Sequence, residues 1–439
     1  MTQAWIPDYI YTGGRFRSGL ALVADNGGQI VELSENVPPN ATRLAGRAML
    51  PGLVNAHSHA FQRIIRGRTE YRSQNATDSF WTWREQMYAA ATQLSPEQIY
   101  NVSRMAFLEM AQTGITAVGE FHYLHYSPDG SPYRDRNLLA HEVIRAANDV
   151  GIRIALLRVA YARSGFNVEP NRRQVRFIED SPDTYLAHLD LLLNSIDPKD
   201  GMVWAGVAPH SVRAVPLDYL KRIIAFANER DLPIHMHVAE QPAEVAACIE
   251  EYGRSPVALL DTEGLLSNRF TAVHAIHVTP KAVAALARSG AGVCACPTTE
   301  RNLGDGVVPA DLYFKSNVPI SLGTDSQIQI DLLEDARELE YHLRLQKMER
   351  NALAPENETG ASALAARLFE CATVNGAKAI GFNGGKLEPG APADFFTVDL
   401  NDISIAGASP DDLLANIVFS LSRTAIRDVV VNGKQLKLR

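Results

Sequence analysis

Cysteine is scarce: the 439-residue chain carries four, too few for the disulfide framework of a small secreted domain. Two of them, Cys294 and Cys296, are separated by a single residue and lack the C-x-x-C spacing of zinc or redox pairs. There is no excess of basic charge. Lys and Arg number 42 against 50 Asp and Glu, a net charge of −8, which argues against a polyanion-binding surface and hence against a nucleic-acid partner. No run approaches the ~18 uninterrupted apolar residues of a membrane span. The stretch from Met1 to Ile10 contains Asp8 and no basic segment ahead of an apolar core, so no signal peptide is expected and the expected setting is the cytoplasm. What is present is 46% hydrophobic and only 21% charged residues, which supports a large core and excludes a disordered or low-complexity protein. At about 100–200 residues per domain the length suggests two or three domains, although α/β barrels run larger as one unit.

The two ends of the chain read alike. Tyr9–Tyr11, Leu20–Val23 and Gln29–Val31 are short β segments punctuated by Gly13–Gly14 and Asn26–Gly27–Gly28. Near the other end, Ala393–Val398 follows Pro389–Gly390, and Asp428–Val431 runs into Asn432–Gly433. Neither end can bury a sheet alone. The economical reading is one small β domain assembled from residues 1–49 and 387–439. Between them, over 50–386, short apolar runs alternate with helical stretches. The runs are Ala48–Val54, Ile115–Gly119, Ile152–Ala160, Val203–Ala208, Pro233–Val238, Phe270–His274, Gly292–Ala295 and Pro319–Gly323. Helical patterns such as Pro96–Thr113, Asp218–Arg230, Ala243–Tyr252 and Lys281–Ser289 intervene. This is the pattern of parallel βαβ units. Eight such strands predict an α/β fold of the (β/α)8 TIM-barrel type, whose chemistry lies where strands end; a doubly wound open sheet has the same local pattern.

Metal-ligating side chains stand at those strand ends. Asn55–Ala56–His57–Ser58–His59 follows the first run, and in extended chain two residues at i and i+2 share a face. His235–Met236–His237–Val238–Ala239–Glu240 closes the fifth run, Val273–His274–Ala275–Ile276–His277 the sixth, and Gly323–Thr324–Asp325 the eighth. Each alone has a plainer explanation: Asp325 as a helix N-cap, Glu240 as a first-turn acid favoured by the helix dipole. Together they point to one metal site at the barrel mouth. Nitrogen and carboxylate donors without thiolate suit zinc, and also iron or other transition metals. Such an ion lowers the pKa of water toward ~7, and Glu240, three residues past His237, is placed to shuttle a proton.

In these stretches the chain resembles the amidohydrolase superfamily. The resemblance rests on Pro51–His59, His237–Glu240, Val273–His277, Gly323–Asp325 and the return of Gly384–Asp399 into the small β domain, and so spans nearly the whole length. It implies one zinc ion per subunit held by His57, His59, His237 and Asp325, with Glu240, His274 and Asp325 as catalytic groups; His277 receives no role. Two-metal members carry a bridging lysine at the end of the fourth strand, and here that strand ends Gly206–Val207–Ala208–Pro209–His210. A single metal is therefore expected. Relatives commonly dimerise, so a homodimer is expected too.

Single-metal members mostly hydrolyse C=N bonds and release ammonia. Substrate choice comes from the loops, and these carry Gln62–Arg63, Trp81–Thr82–Trp83–Arg84, Phe121–His122–Tyr123 and His210–Ser211–Val212–Arg213. A guanidinium that forks onto a carboxylate recognises a small anion well. The stretches NAHSHAFQR, WTWREQM, PHSVR and GTDSQ resemble the branch of the superfamily that deiminates N-formimino-L-glutamate to N-formyl-L-glutamate and ammonia in histidine catabolism. That resemblance places Gln62, Arg84, Tyr123, His210 and Arg213 around the substrate. His122, His125 and His235 read as structural, and Trp81 and Trp83 as an apolar lid or interface. The rival readings are an aminohydrolase of a nucleobase or adenosine derivative, a triazine chlorohydrolase, an imidazolone-ring hydrolase, and a metal-free scaffold or binding protein.

Overall fold

The computed structural model describes residues 2–72, 78–358 and 360–438. Eight parallel strands form one sheet in chain order: β1 (Leu53–Ser58), β2 (Ile115–His122), β3 (Arg153–Ala160), β4 (Val203–Pro209), β5 (Ile234–Val238), β6 (Phe270–His274), β7 (Gly292–Ala295) and β8 (Ile320–Leu322). Their side chains are almost entirely buried, as expected of parallel strands packed on both faces. Helices on the outside turn an apolar face inward. Leu138–Val150 buries Leu139, Val143, Ala146, Ala147 and Val150, a spacing of three and four residues.

The sheet curls until β8 meets β1. No long ladder joins them; the seam is a parallel bridge between Ser58 and Asp325. Asp325 N–H donates to His57 O at 3.0 Å, and His59 N–H donates to Asp325 O at 3.0 Å. Gly323 makes this approach possible, because a Cβ there would lie 2.7 Å from His57 Cβ and 2.8 Å from His57 O. The barrel therefore closes through the backbone of the predicted ligands themselves.

A second, mixed sheet is built from both termini, in the order Lys434–Gln435, Ile426–Val431, Phe395–Asp399, Thr42–Pro51, Gln3–Thr12, Ala21–Ala24, Ile30–Ser34. The predicted barrel run Ala48–Val54 divides between the two sheets. Ala48–Pro51 pair with Phe395–Val398 in the terminal sheet, and Leu53 begins β1. Gly52 makes the crossing, where its N–H bonds Asp394 O and a Cβ would strike the Thr116 hydroxyl at 2.1 Å. An apolar run carries no mark of which sheet it enters, so the break falls on the glycine and not at the edge of the run. No helix among the described residues is long and apolar enough to cross a membrane.

Candidate metal centre

His57 lies in β1 and His59 directly after it, His237 in β5, and Asp325 just past β8. One ligand atom from each comes within 4.8 Å of all the others, and all four residues are buried. His57 Nε2 stands 3.2 Å from both His59 Nε2 and His237 Nε2. Asp325 Oδ1 lies 3.2 Å from His59 Nε2 and 3.5 Å from His57 Nε2. Backbone carbonyls set the tautomers, since a carbonyl can only accept. His59 Nδ1–H donates to Phe121 O at 2.9 Å, and His237 Nδ1–H donates to His210 O at 3.3 Å. Each Nε2 then points a lone pair into the cluster. Burial pushes His57 down to about 3 and lowers His59 and His237 as well, so these rings are neutral donors. Burial would raise Asp325, but the hydrogen bond from His57 and the surrounding imidazoles outweigh it and hold the carboxyl below its usual range.

The Nε2 lone pairs of His59 and His237 both face His57 Nε2 at 3.2 Å, and His57 Nδ1 has no partner among the described residues. A hydrogen on His57 Nε2 could therefore serve only one of the surrounding acceptors, whereas a cation would serve all of them. Donors about 2.0–2.1 Å from one ion at tetrahedral angles stand about 3.3 Å apart, which matches the spacing found. Three imidazoles and a carboxylate thus fit a divalent transition metal.

His274 and Glu240 flank the cluster. His274 Nε2 lies 3.6 Å from Glu240 Oε1 and 3.8 Å from Asp325 Oδ2, while its Nδ1 meets Glu300 Oε1 at 3.2 Å. Burial opposes charge on this ring, but Glu240, Glu300 and Asp325 outweigh it and raise His274 well above the usual histidine range. Glu240 is pushed up to about 7, first by burial and then by Asp325 and Glu244, against the pull of His274 and Arg213. Glu120 is buried behind the metal ligands, where it accepts from Ser58 Oγ at 2.5 Å and Ala60 N–H at 2.7 Å, and burial raises it to about 8.

The predicted substrate residues Gln62, Arg84, Tyr123, His210 and Arg213 all line one cleft, together with His59, His237, Glu240 and Asp325. Gln62 Nε2 donates to Tyr123 OH at 2.8 Å. The Arg84 guanidinium carbon lies 4.5 Å, and that of Arg213 5.9 Å, from the ring centroid of Trp81. Nε and Nη1 of both arginines are buried without an acceptor among the described residues. Trp83 lines the cleft, and Trp81 is the platform shared by the two cations. The remaining histidines sit apart from the ligand set: His235 donates from Nε2 to Ala379 O and His125 to Val159 O, both at 2.8 Å, and His277 to Asp305 O at 2.9 Å. His122, at the end of β2, packs near His125.

Sequence reasoning passed over Tyr88 and Tyr161, which also line the cleft, and Glu300 behind His274. Tyr161 follows β3 directly, so the strand-end rule applied to the other strands would have found it. Glu300 gives no such signal.

The chain is similar to known proteins over most of its length. The sequence profile of the Amidohydrolase family matches residues 48–436. The chain is 38% identical over 409 residues to formimidoylglutamate deiminase of Pseudomonas aeruginosa, covering 93% of this chain and 88% of that protein. It is 27% identical over 433 residues to 5-methylthioadenosine/S-adenosylhomocysteine deaminase of Halobacterium salinarum, covering 98% and 90%. Among solved structures, an amidohydrolase from Brucella melitensis superposes with a TM-score of 0.88 at 33% identity, covering 99% of this chain and 94% of the other.

Proposed function

The chain belongs to the amidohydrolase family and is a hydrolase of carbon–nitrogen bonds; from that premise we propose that it deiminates N-formimino-L-glutamate to N-formyl-L-glutamate and ammonia, the histidine-catabolic reaction. The observation that carries the substrate is the pair of cleft guanidiniums, Arg84 and Arg213, whose buried N–H groups have no acceptor among the described residues. A dianionic substrate supplies two carboxylates to them. A neutral purine would leave these buried N–H groups without a carboxylate acceptor, at a cost of about 1–3 kcal/mol for each group left unsatisfied. The 38% identical relative bears the name of this activity.

His57, His59, His237 and Asp325 would hold a single zinc ion, which when bound supplies Lewis acidity that brings the pKa of water toward ~7. Glu240 accepts the proton that water releases and passes it to the imino nitrogen. His274, held cationic by Glu300 and its neighbours, stabilises negative charge developing on the oxygen that adds to the C=N carbon. Glu240 then takes the remaining proton from the hydroxyl of the tetrahedral adduct and delivers it to the same nitrogen; the carbon–nitrogen bond breaks as the C=O forms, and the nitrogen leaves as ammonia. Arg84, Arg213, Gln62, Tyr123 and His210 orient the substrate. The same reading takes the enzyme as a cytoplasmic homodimer, a two-fold pair being the commonest symmetric assembly.

The test is ammonia release by the zinc-loaded protein from N-formimino-L-glutamate, set beside 5-methylthioadenosine. Turnover of the first and none of the second is expected; the reverse overturns the proposal.

A further inference from the structure

A polar cluster at the end of β3 has no part in the reaction as described so far. Tyr88, on the helix Phe80–Ala91, and Tyr161 are 2% and 1% exposed, and both line the cleft. Gln174, itself buried, donates from Nε2 to both hydroxyls, at 2.8 Å to Tyr88 and 2.7 Å to Tyr161. The two hydroxyl oxygens stand 3.2 Å apart.

Counting hydrogens decides what this cluster can bind. The amide nitrogen has two, and both are used. One phenolic hydrogen lies between the tyrosine oxygens. The hydroxyl that accepts it also accepts from Gln174, so its own hydrogen has no acceptor among the described residues. Reversing the amide would not absorb that hydrogen at lower cost. Gln174 Oε1 is buried without a partner among the described residues, so the reversal would bury two unpaired N–H donors. The orientation found buries one unpaired carbonyl and leaves one hydroxyl hydrogen at the cleft wall, where water or substrate can accept it. One O–H is therefore free at the wall of the cleft. Close by, the Arg84 guanidinium carbon lies 5.4 Å from the Tyr88 ring centroid. A neutral donor beside a fixed cation suits an anion with more than one oxygen.

We propose that Tyr88 and Tyr161, aligned by Gln174, form a third carboxylate-binding arm of the cleft beside Arg84 and Arg213. The inference rests on the anionic substrate proposed above and deepens it. The tyrosine hydroxyls contact substrate, and Gln174 is a positioning residue that turns the free hydrogen toward the cleft.

The Y88F/Y161F variant keeps both rings, including the packing of Tyr161 on His210 at 4.6 Å, and removes both hydroxyls. For N-formimino-L-glutamate its KM should rise ~10–100-fold, the range for a hydrogen bond to a charged group, with kcat changed less than about threefold. Assayed on N-formiminoglycine and on 4-formiminoaminobutyrate, each with one carboxylate, the penalty should persist for one and vanish for the other. A merely structural role would give equal penalties on all three, and that result, or an unchanged KM, overturns the proposal. Calorimetric binding of N-acetyl-L-glutamate separates the two readings. If the unaltered enzyme releases no ammonia yet the variant binds this dianion more weakly, the substrate reading falls and the carboxylate arm stands. Normal turnover with unaltered binding in the variant sinks the arm alone, and no ammonia release together with no binding of the dianion to the unaltered protein sinks both.

Discussion

A carboxyl group removed from water keeps its proton longer, and for Glu240 in the proton-accepting role proposed above this would set the pH range of activity. Burial, with Asp325 and Glu244 nearby, lifts its pKa to about 7. As the proton acceptor it acts only when ionised, so kcat/KM should fall tenfold per pH unit below about pH 7 and level off above it. A pH–rate profile flat down to about pH 5 would remove Glu240 from that role. Metal binding and proton transfer should also separate by residue. Glu240→Gln is expected to retain a full equivalent of zinc by metal analysis while turnover drops at least ~10²–10⁴-fold. His237→Ala removes one of the three convergent imidazoles and should lose both the metal and the activity.

The strand ends around the His57, His59, His237 and Asp325 cluster are held by side chains in place of a continuous ladder. At the seam between β1 and β8, Gln327 Nε2 donates to Ser58 Oγ at 2.9 Å, and its Oε1 accepts from Thr324 Oγ1 at 2.9 Å. Thr324 Oγ1 in turn accepts from Asn55 Nδ2 at 2.7 Å. Asp325 and Gln327 both hold positive φ, 45° and 63°, a backbone state that costs of order 1–3 kcal/mol and persists only when its surroundings enforce it. Gln327→Ala should therefore speed zinc loss to a chelator ~10–100-fold, the usual scale for groups that orient ligands, with a small change in Tm; an unaltered rate would show that the bridge at Asp325 suffices. The elements differ in how far the sequence reveals them. The eight apolar runs announce the barrel, and His57 and His59 announce the metal because two residues in extended chain face one way whatever surrounds them. Tyr88, Tyr161 and Gln174 meet only because the helix Phe80–Ala91 after β1 and the single connection after β3 converge over the mouth, which no local periodicity encodes. The division of Ala48–Val54 between two sheets was hidden for the same reason: its partner strand, Phe395–Asp399, lies near the opposite end of the chain.

Across the whole molecule, the terminal sheet shares the barrel's apolar core through Leu50, Phe396, Val398 and Val429, and a buried ion pair joins the two at the underside of the barrel. Arg153, the first residue of β3, donates from Nε to Asp394 Oδ2 at 2.6 Å and from Nη2 to Asp394 Oδ1 at 3.1 Å. Both side chains are nearly inaccessible, at 4% and 3%. The same aspartate accepts the N–H of Asn432 at 2.7 Å through its carboxylate, and that of Gly52 at 3.0 Å through its backbone carbonyl. It thus ties the C-terminal strands to Gly52, the residue just before β1, which leads to His57 and His59. Two buried charges repay their lost hydration only together, so removing one partner should cost much more than replacing both. Asp394→Leu alone is expected to destabilise the protein by about 3–5 kcal/mol. Adding Arg153→Met should restore a large part of that loss, a coupling readable in a double-mutant cycle of denaturant unfolding. Zinc content is the second measurement: if the sheet matters to the site only by carrying the chain into β1, both variants should still bind a full equivalent when folded. Additive losses would show that the charges act independently, and loss of metal in a folded single variant would show that the terminal sheet sets the ligand geometry itself.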